Sequence, residues 1–271
     1  MDNSDGLEPE TAEQWLDRVG VVLCTRHLHG PVGTVGAERE FKRAFELNPS
    51  HAEGHHQYSH LLLMLGRVND SFVESKKYLE LDPVSQSPIS HLAYHYLYSR
   101  QYDDAIREYE KERQLFADTR PVRHIRLGQA YYQKGMLNEA VAEFLQGFAG
   151  TGSPPDDIAE LRKAFASSGI RGFYQKRIEQ FKAKPQTEQS SVDIAEFYAR
   201  LGEKDQAFAW LEKAYAQHSD GLVRLKEELG FDNIRSDPRF ADLLRRIGLP
   251  QQESFHYDLI AFDSNIFKIR F

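Results

Sequence analysis

The stretch LGQAYYQKGMLNEAVAEF, residues 127–144, decides the fold. Leu127, Gly128 and Tyr131 share one helical face, and Ala140 and Phe144 share another. Gly135 lies between them, where the chain must reverse. The pattern predicts two short helices packed against each other.

The same beat extends outward. ELNP (46–49) and ELDP (80–83) place Pro49 and Pro83 34 residues apart. The residue before a proline avoids the helical region, so both motifs mark helix ends. Ala37, Phe41 and Ala44 form the stripe of the helix ahead of Pro49. Gly66, Arg100 and Gly135 follow one another at 34 and 35 residues, each in the turn after a first helix; Ala105 and Ala140 are 35 apart. Two antiparallel helices cannot bury both apolar faces alone, so such hairpins stack into one continuous core. Small residues let helix axes approach, and aromatic residues fill the space between layers.

At these residues the chain resembles the tetratricopeptide repeat family, with its Leu-Gly pair, aromatic, Ala, aromatic and closing Pro. Leu127, Gly128, Tyr131, Ala140 and Phe144 carry the pattern nearly completely, and Leu92, Ala93, Tyr96, Ala105 and Tyr109 almost as well. Tyr58, Ser59, Leu62, Ser71 and Pro83 match more loosely; Ile194, Ala195, Tyr198, Ala207, Leu211 and Ala214 form another copy. The segment 157–181 keeps Leu161, Phe165 and Gly169 but lacks the small residue at the second crossing. The first copy, around 18–49, carries HGPVGTVG between its helices, read as a turn. The resemblance implies an all-α fold over residues 15–217, a right-handed α-solenoid of about six helix pairs.

Beyond Tyr215 the period fades. SDGLVRLKEELGF and SDPRFADLLRRIGLP read as two capping helices within 218–249. Ser236 is the expected N-cap of the second, Pro238 its first turn, and Phe240, Leu243, Leu244 and Ile247 its apolar face, ended by Gly248. This part also resembles the closing part of repeat domains in bacterial multidomain regulators. Residues 1–14 read as a flexible acidic N-terminus. Residues 250–271 form an apolar tail with strand-like alternation, either irregular or able to dock on its own superhelix or a neighbour's, giving self-association.

Composition narrows the function. A net charge of −7 argues against a general nucleic-acid binder. No apolar run reaches the roughly 18 residues of a membrane span, and residues 1–20 lack the basic start and apolar core of a signal peptide. The single cysteine, Cys24, excludes an intrachain disulfide and fits a reducing, cytoplasmic setting. GPVGTVG (30–36) has no preceding strand and no Gly-Lys-Ser/Thr, and HAEGH (51–55) has Ala52 where a zinc-protease motif needs Glu. No catalytic residues and no cofactor are expected. His51/His55, His56/His60 and His91/His95 are i, i+4 pairs. Such a pair can hold two adjacent positions of a metal, with His56 and His60 the candidate; the bland alternative is polar helix residues.

In the family the resemblance points to, the first helix of each repeat lines a concave groove. The repeat register then puts Arg26, His56, His60, Tyr94, Tyr98, Gln129, Tyr132, Lys163 and Arg200 on that face. Tyr and Arg are frequent binding anchors, and such a wall suits a peptide with acidic and apolar groups. Val22 and Gln57 stand where a carboxylate clamp for chaperone tails would need Lys and Asn, which disfavours that adapter. The expected function is a non-catalytic scaffold for a protein or peptide. The alternative is a regulatory module severed from a kinase, cyclase or transcription regulator.

Overall fold

A computed structural model describes residues 31–249 except 117–119 and 186–187. Arg26, Cys24, the 1–14 segment and the 250–271 tail lie outside the described residues. Eleven α-helices follow in order: α1 (Pro31–Leu47), α2 (Ala52–Met64), α3 (Val68–Leu81), α4 (Gln86–Tyr98), α5 (Tyr102–Leu115), α6 (Pro121–Gln133), α7 (Leu137–Gly150), α8 (Pro155–Lys182), α9 (Glu188–Arg200), α10 (Lys204–Ala216) and α11 (Pro238–Arg246). Two 3-10 helices, Asp220–Arg224 and Leu229–Ile234, separate α10 from α11. No strand occurs among the described residues.

The helices form hairpins, α2 with α3, α4 with α5, α6 with α7, and α9 with α10; successive ones stack in order, with α8 between α7 and α9. One turn recurs between them. Gly66, Arg100, Gly135 and Gly202 all have positive φ, at 80°, 63°, 75° and 77°. In each turn two amides close back on the helix: Gly135 N–H donates to Tyr132 O at 3.0 Å and Met136 N–H to Tyr131 O at 3.0 Å. This left-handed closure satisfies the last carbonyls of a first helix and reverses the chain. Arg100 adopts it without being glycine, as its place in the repeat predicts.

The divergent fifth copy, α8, is two helical halves joined through non-helical angles at Ser168 and Gly169. Gly169 (φ 60°, ψ −156°) occupies a region essentially reserved for glycine, and this turn lets the two halves fold back on each other, with Gln180 donating to the Asp157 carbonyl at 2.9 Å. Tyr174 takes the place of the missing small residue and is buried.

The window 127–144 behaves as its spacing requires. A Cβ on Gly128 would lie 2.7 Å from Phe144 Cδ1 and 3.0 Å from the Ala140 carbonyl, so α6 and α7 touch almost backbone to backbone. Leu127, Ala140 and Phe144 are buried there.

Three local expectations need correction. Residues 31–36 are helical and open α1 rather than forming a turn; Pro31 at its start supplies a suitable φ, and Ala37, Phe41 and Ala44 bury its continuation. The cap of α11 is Asp237, not Ser236: its carboxylate accepts the Arg239 amide at 3.0 Å. The segment SDGLVRLKEELGF is not an α-helix but two 3-10 turns around a bend. Gly221 and Gly230 lie so close to α9 that a Cβ on either would collide with it, Gly230 within 2.0 Å of Glu196 Cγ. Contact with α9 sets that path. The apolar face Phe240, Leu243, Leu244 and Ile247 is buried, and Gly248 ends α11 at φ 77°.

Candidate functional site

The first helices α2, α4 and α6 lie side by side, making an inner face. The segment 220–235 runs across it. The Arg224 guanidinium donates to Tyr98 Oη at 3.2 Å and reaches Tyr94 Oη at 3.5 Å, while Tyr94 donates to Glu227 Oε1 at 3.2 Å. Arg100 holds Asp232 with two hydrogen bonds, one at 2.8 Å. Gln129 donates to Glu228 Oε1 at 3.3 Å. Leu229 joins the core cluster of Leu63, Ala93, Leu97 and Leu127. These contacts link positions more than 95 residues apart in sequence.

The register residues therefore divide into groups. Tyr94 and Tyr98 are buried beneath the chain's own segment rather than open. Gln129 is half-buried against Glu228. Tyr132 is half-buried, with the Arg200 guanidinium 4.8 Å from its ring centre. Arg200 is held by Glu196 at 2.7 Å and its side chain is only 4% exposed. Lys163 is exposed on the first half of α8. His56 and His60 are half-buried at the other end of the face.

Burial shapes the titration of this region. It drives the Tyr94 and Tyr98 hydroxyls far above the usual tyrosine range, so both stay protonated. Burial, reinforced by the Glu196 charge, pushes the Glu228 carboxyl up to about 7. Asp193 is pushed up to about 6, again mainly by burial.

At the α2–α4 seam four imidazoles meet. His60 Nε2 lies 3.3 Å from His56 Nε2 and 3.1 Å from His91 Nε2, and His95 Nε2 lies 3.2 Å from His91 Nε2. His56, His60 and His91 each turn a nitrogen into one space, all within 4.8 Å. The i, i+4 pairs were visible in the sequence, but their convergence was missed. The signal was present: His91 and His95 follow His56 and His60 by 35 residues each, one repeat length. His51 and His55 do other work. His51 caps α2 by accepting from Gly54 N–H at 2.9 Å, and His55 bridges Glu74 and the Pro49 carbonyl.

No helix among the described residues is long and apolar enough to cross a membrane. No family model matches the chain. Human tetratricopeptide repeat protein 13 is 26% identical over 137 residues, which is 51% of this chain but only 16% of that protein. A thermophilic TPR protein of Thermus thermophilus is similar in structure, with TM-score 0.48, 18% identity and coverage of 87% of this chain and 100% of that one. The Cut9–Hcn1 assembly of the APC/C matches with TM-score 0.49, 16% identity and coverage of 87% and 53%. YrrB, a TPR protein with an unusual peptide-binding site, matches with TM-score 0.39, 19% identity and coverage of 69% and 96%. The weight rests on the chain itself: a period near 34, a recurrent left-handed turn and hairpins stacked in sequence order. This chain is a tetratricopeptide-repeat-like helical solenoid.

Proposed function

We propose that the chain is a non-catalytic scaffold that binds a peptide or protein partner bearing acidic and apolar side chains. The observation that carries this reading is the segment 220–235. The inner face already accommodates a stretch of 3-10 helix and bend through Tyr94, Arg100 and Gln129 on the wall and Glu227, Glu228, Asp232 and Leu229 on the segment. A wall with that chemistry recognises acidic groups beside an apolar anchor. Because Tyr94 and Tyr98 are covered, the partner's ground is the flank carrying Tyr132 and Lys163, with Arg200 beneath. The comparisons lend no support to a module severed from a kinase, cyclase or transcription regulator.

Fluorescence anisotropy with a panel of acidic–apolar peptides tests the proposal. A binding peptide should lose at least tenfold in affinity to a Tyr132→Ala, Lys163→Glu variant that keeps its helical circular dichroism. Unchanged affinity in that variant would remove this face as the binding surface.

A further inference from the structure

With all four rings neutral, the histidine junction cannot satisfy every one of its nitrogen contacts by hydrogen bonds. The His56 Nδ1 faces Glu53 Oε1 at 3.0 Å, and a carboxylate only accepts, so this nitrogen carries the hydrogen. The Ser71 hydroxyl donates to Val68 O at 2.7 Å, so at 3.2 Å it can only accept from His95 Nδ1. In neutral rings the Nε2 atoms of His56 and His95 are therefore both lone pairs. Three contacts then join four Nε2 atoms in a chain, with hydrogens available only on His60 and His91. Placing a hydrogen on both sets N–H against N–H between them. Placing one on either alone leaves two lone pairs facing each other elsewhere. Every arrangement of neutral rings opposes at least one contact.

A cation removes the conflict by accepting the lone pairs together. The geometry also fits one: nitrogens on a tetrahedral Zn²⁺ with bonds of 2.0–2.1 Å lie about 3.3–3.4 Å apart. The observed separations of 3.3 and 3.1 Å come close to that edge. The outer partners are also those a metal-bound imidazole needs, with Glu53 holding the far nitrogen of His56 and Ser75 that of His91 at 3.2 Å. Arg126, 4.4 Å above the Tyr94 ring, and Arg224 add positive potential nearby. Bulk electrostatics therefore does not draw cations in, and selection falls on ions with a strong bond to imidazole nitrogen.

We propose that His56, His60 and His91 form a binding site for a borderline divalent transition metal, Zn²⁺ foremost. His95 stands beside His91 as the nearest side chain for a fourth position. The site staples α2 to α4, two successive first helices.

Isothermal titration of the EDTA-treated full chain with ZnCl2, and Co²⁺ titration followed by visible absorption, test the proposal. One Zn²⁺ per chain and the intense bands of a tetrahedral Co²⁺ site are expected. His56→Ala and His60→Ala should each weaken Zn²⁺ binding at least a hundredfold, while Cys24→Ser and His218→Ala leave it unchanged. No binding at about 100 µM free Zn²⁺, or wild-type affinity in the folded His56→Ala variant, overturns the site. Should His60→Ala lose its helical signal, His56→Ala, whose ring is partly solvent-accessible, decides alone.

Discussion

Gly128→Ala tests the crossing on which the repeat rests. In an exposed helix this change would stabilise by about 1 kcal/mol, because glycine is the poorer helix former. Here the new methyl would sit 2.7 and 2.8 Å from two Phe144 ring carbons and 3.0 Å from the Ala140 carbonyl oxygen. The ring cannot swing clear, since it stacks on Phe148 and Phe173 at centroid distances of 6.1 and 6.2 Å and is only 5% exposed. Overpacking of this kind costs about 1–3 kcal/mol. Set against the propensity gain, a net loss of up to about 2 kcal/mol is expected. Gly36→Ala is the matched control: it lies in α1 with nothing within 4 Å of the new carbon, so only the propensity gain remains. Urea unfolding followed by far-ultraviolet circular dichroism reads both. Repeat arrays can unfold in parts, so midpoint and slope are compared together. A Gly128→Ala variant stabilised as much as Gly36→Ala would refute the close crossing of α6 and α7.

Gly169→Ala should cost about 1–3 kcal/mol, because its backbone angles belong to glycine alone; thermal melts check it. Gly230→Ala should push the segment 220–235 off Glu196 and lower stability by about 1–3 kcal/mol, with faster proteolysis inside that segment. Asp232→Ala removes the carboxylate that Arg100 and Arg235 both hold and should raise amide exchange across Leu229–Ile234 without melting α4 or α5. Glu228 supplies a pH signature. Its folded carboxyl is pushed up to about 7 from 4.5, so the folded state holds the proton more tightly than the unfolded one. Its contribution is complete below pH 4.5 and is lost as pH rises through 7. Glu228→Gln should flatten stability between pH 5 and pH 8, and an unchanged profile would count against the burial of this group.

Much of the solenoid was legible because its requirements are local. A hairpin turn needs a left-handed residue, and Gly66, Gly135 and Gly202 supply it at fixed intervals; Arg100 was found by interval alone. Helix crossings need small residues, so Gly128, Ala105 and Ala140 stand out. The start of α1 was not legible, since glycines at 33 and 36 read as a turn while the packing that keeps them helical lies further on, at Ala37 and Phe41. The return of 220–235 across the inner face was hidden for a different reason. Its partners, Tyr94, Tyr98 and Arg100, precede it by more than 120 residues, and no periodicity spans that gap. The register assigned Tyr94 and Tyr98 to the inner face, but could not show that the chain would cover them. The histidine junction falls between these cases, since each pair is a helical spacing and the two pairs are one repeat apart.

The central claim is that successive hairpins build an inner face that the chain's own 220–235 segment occupies. Methyl-resolved nuclear Overhauser spectroscopy on the full chain addresses it most directly, through Leu229. The account predicts cross-peaks from the Leu229 methyls to the cluster of Leu63, Ala93, Leu97 and Leu127. Leu229 methyls at random-coil shifts, with cross-peaks only to residues 218–249, would contradict it.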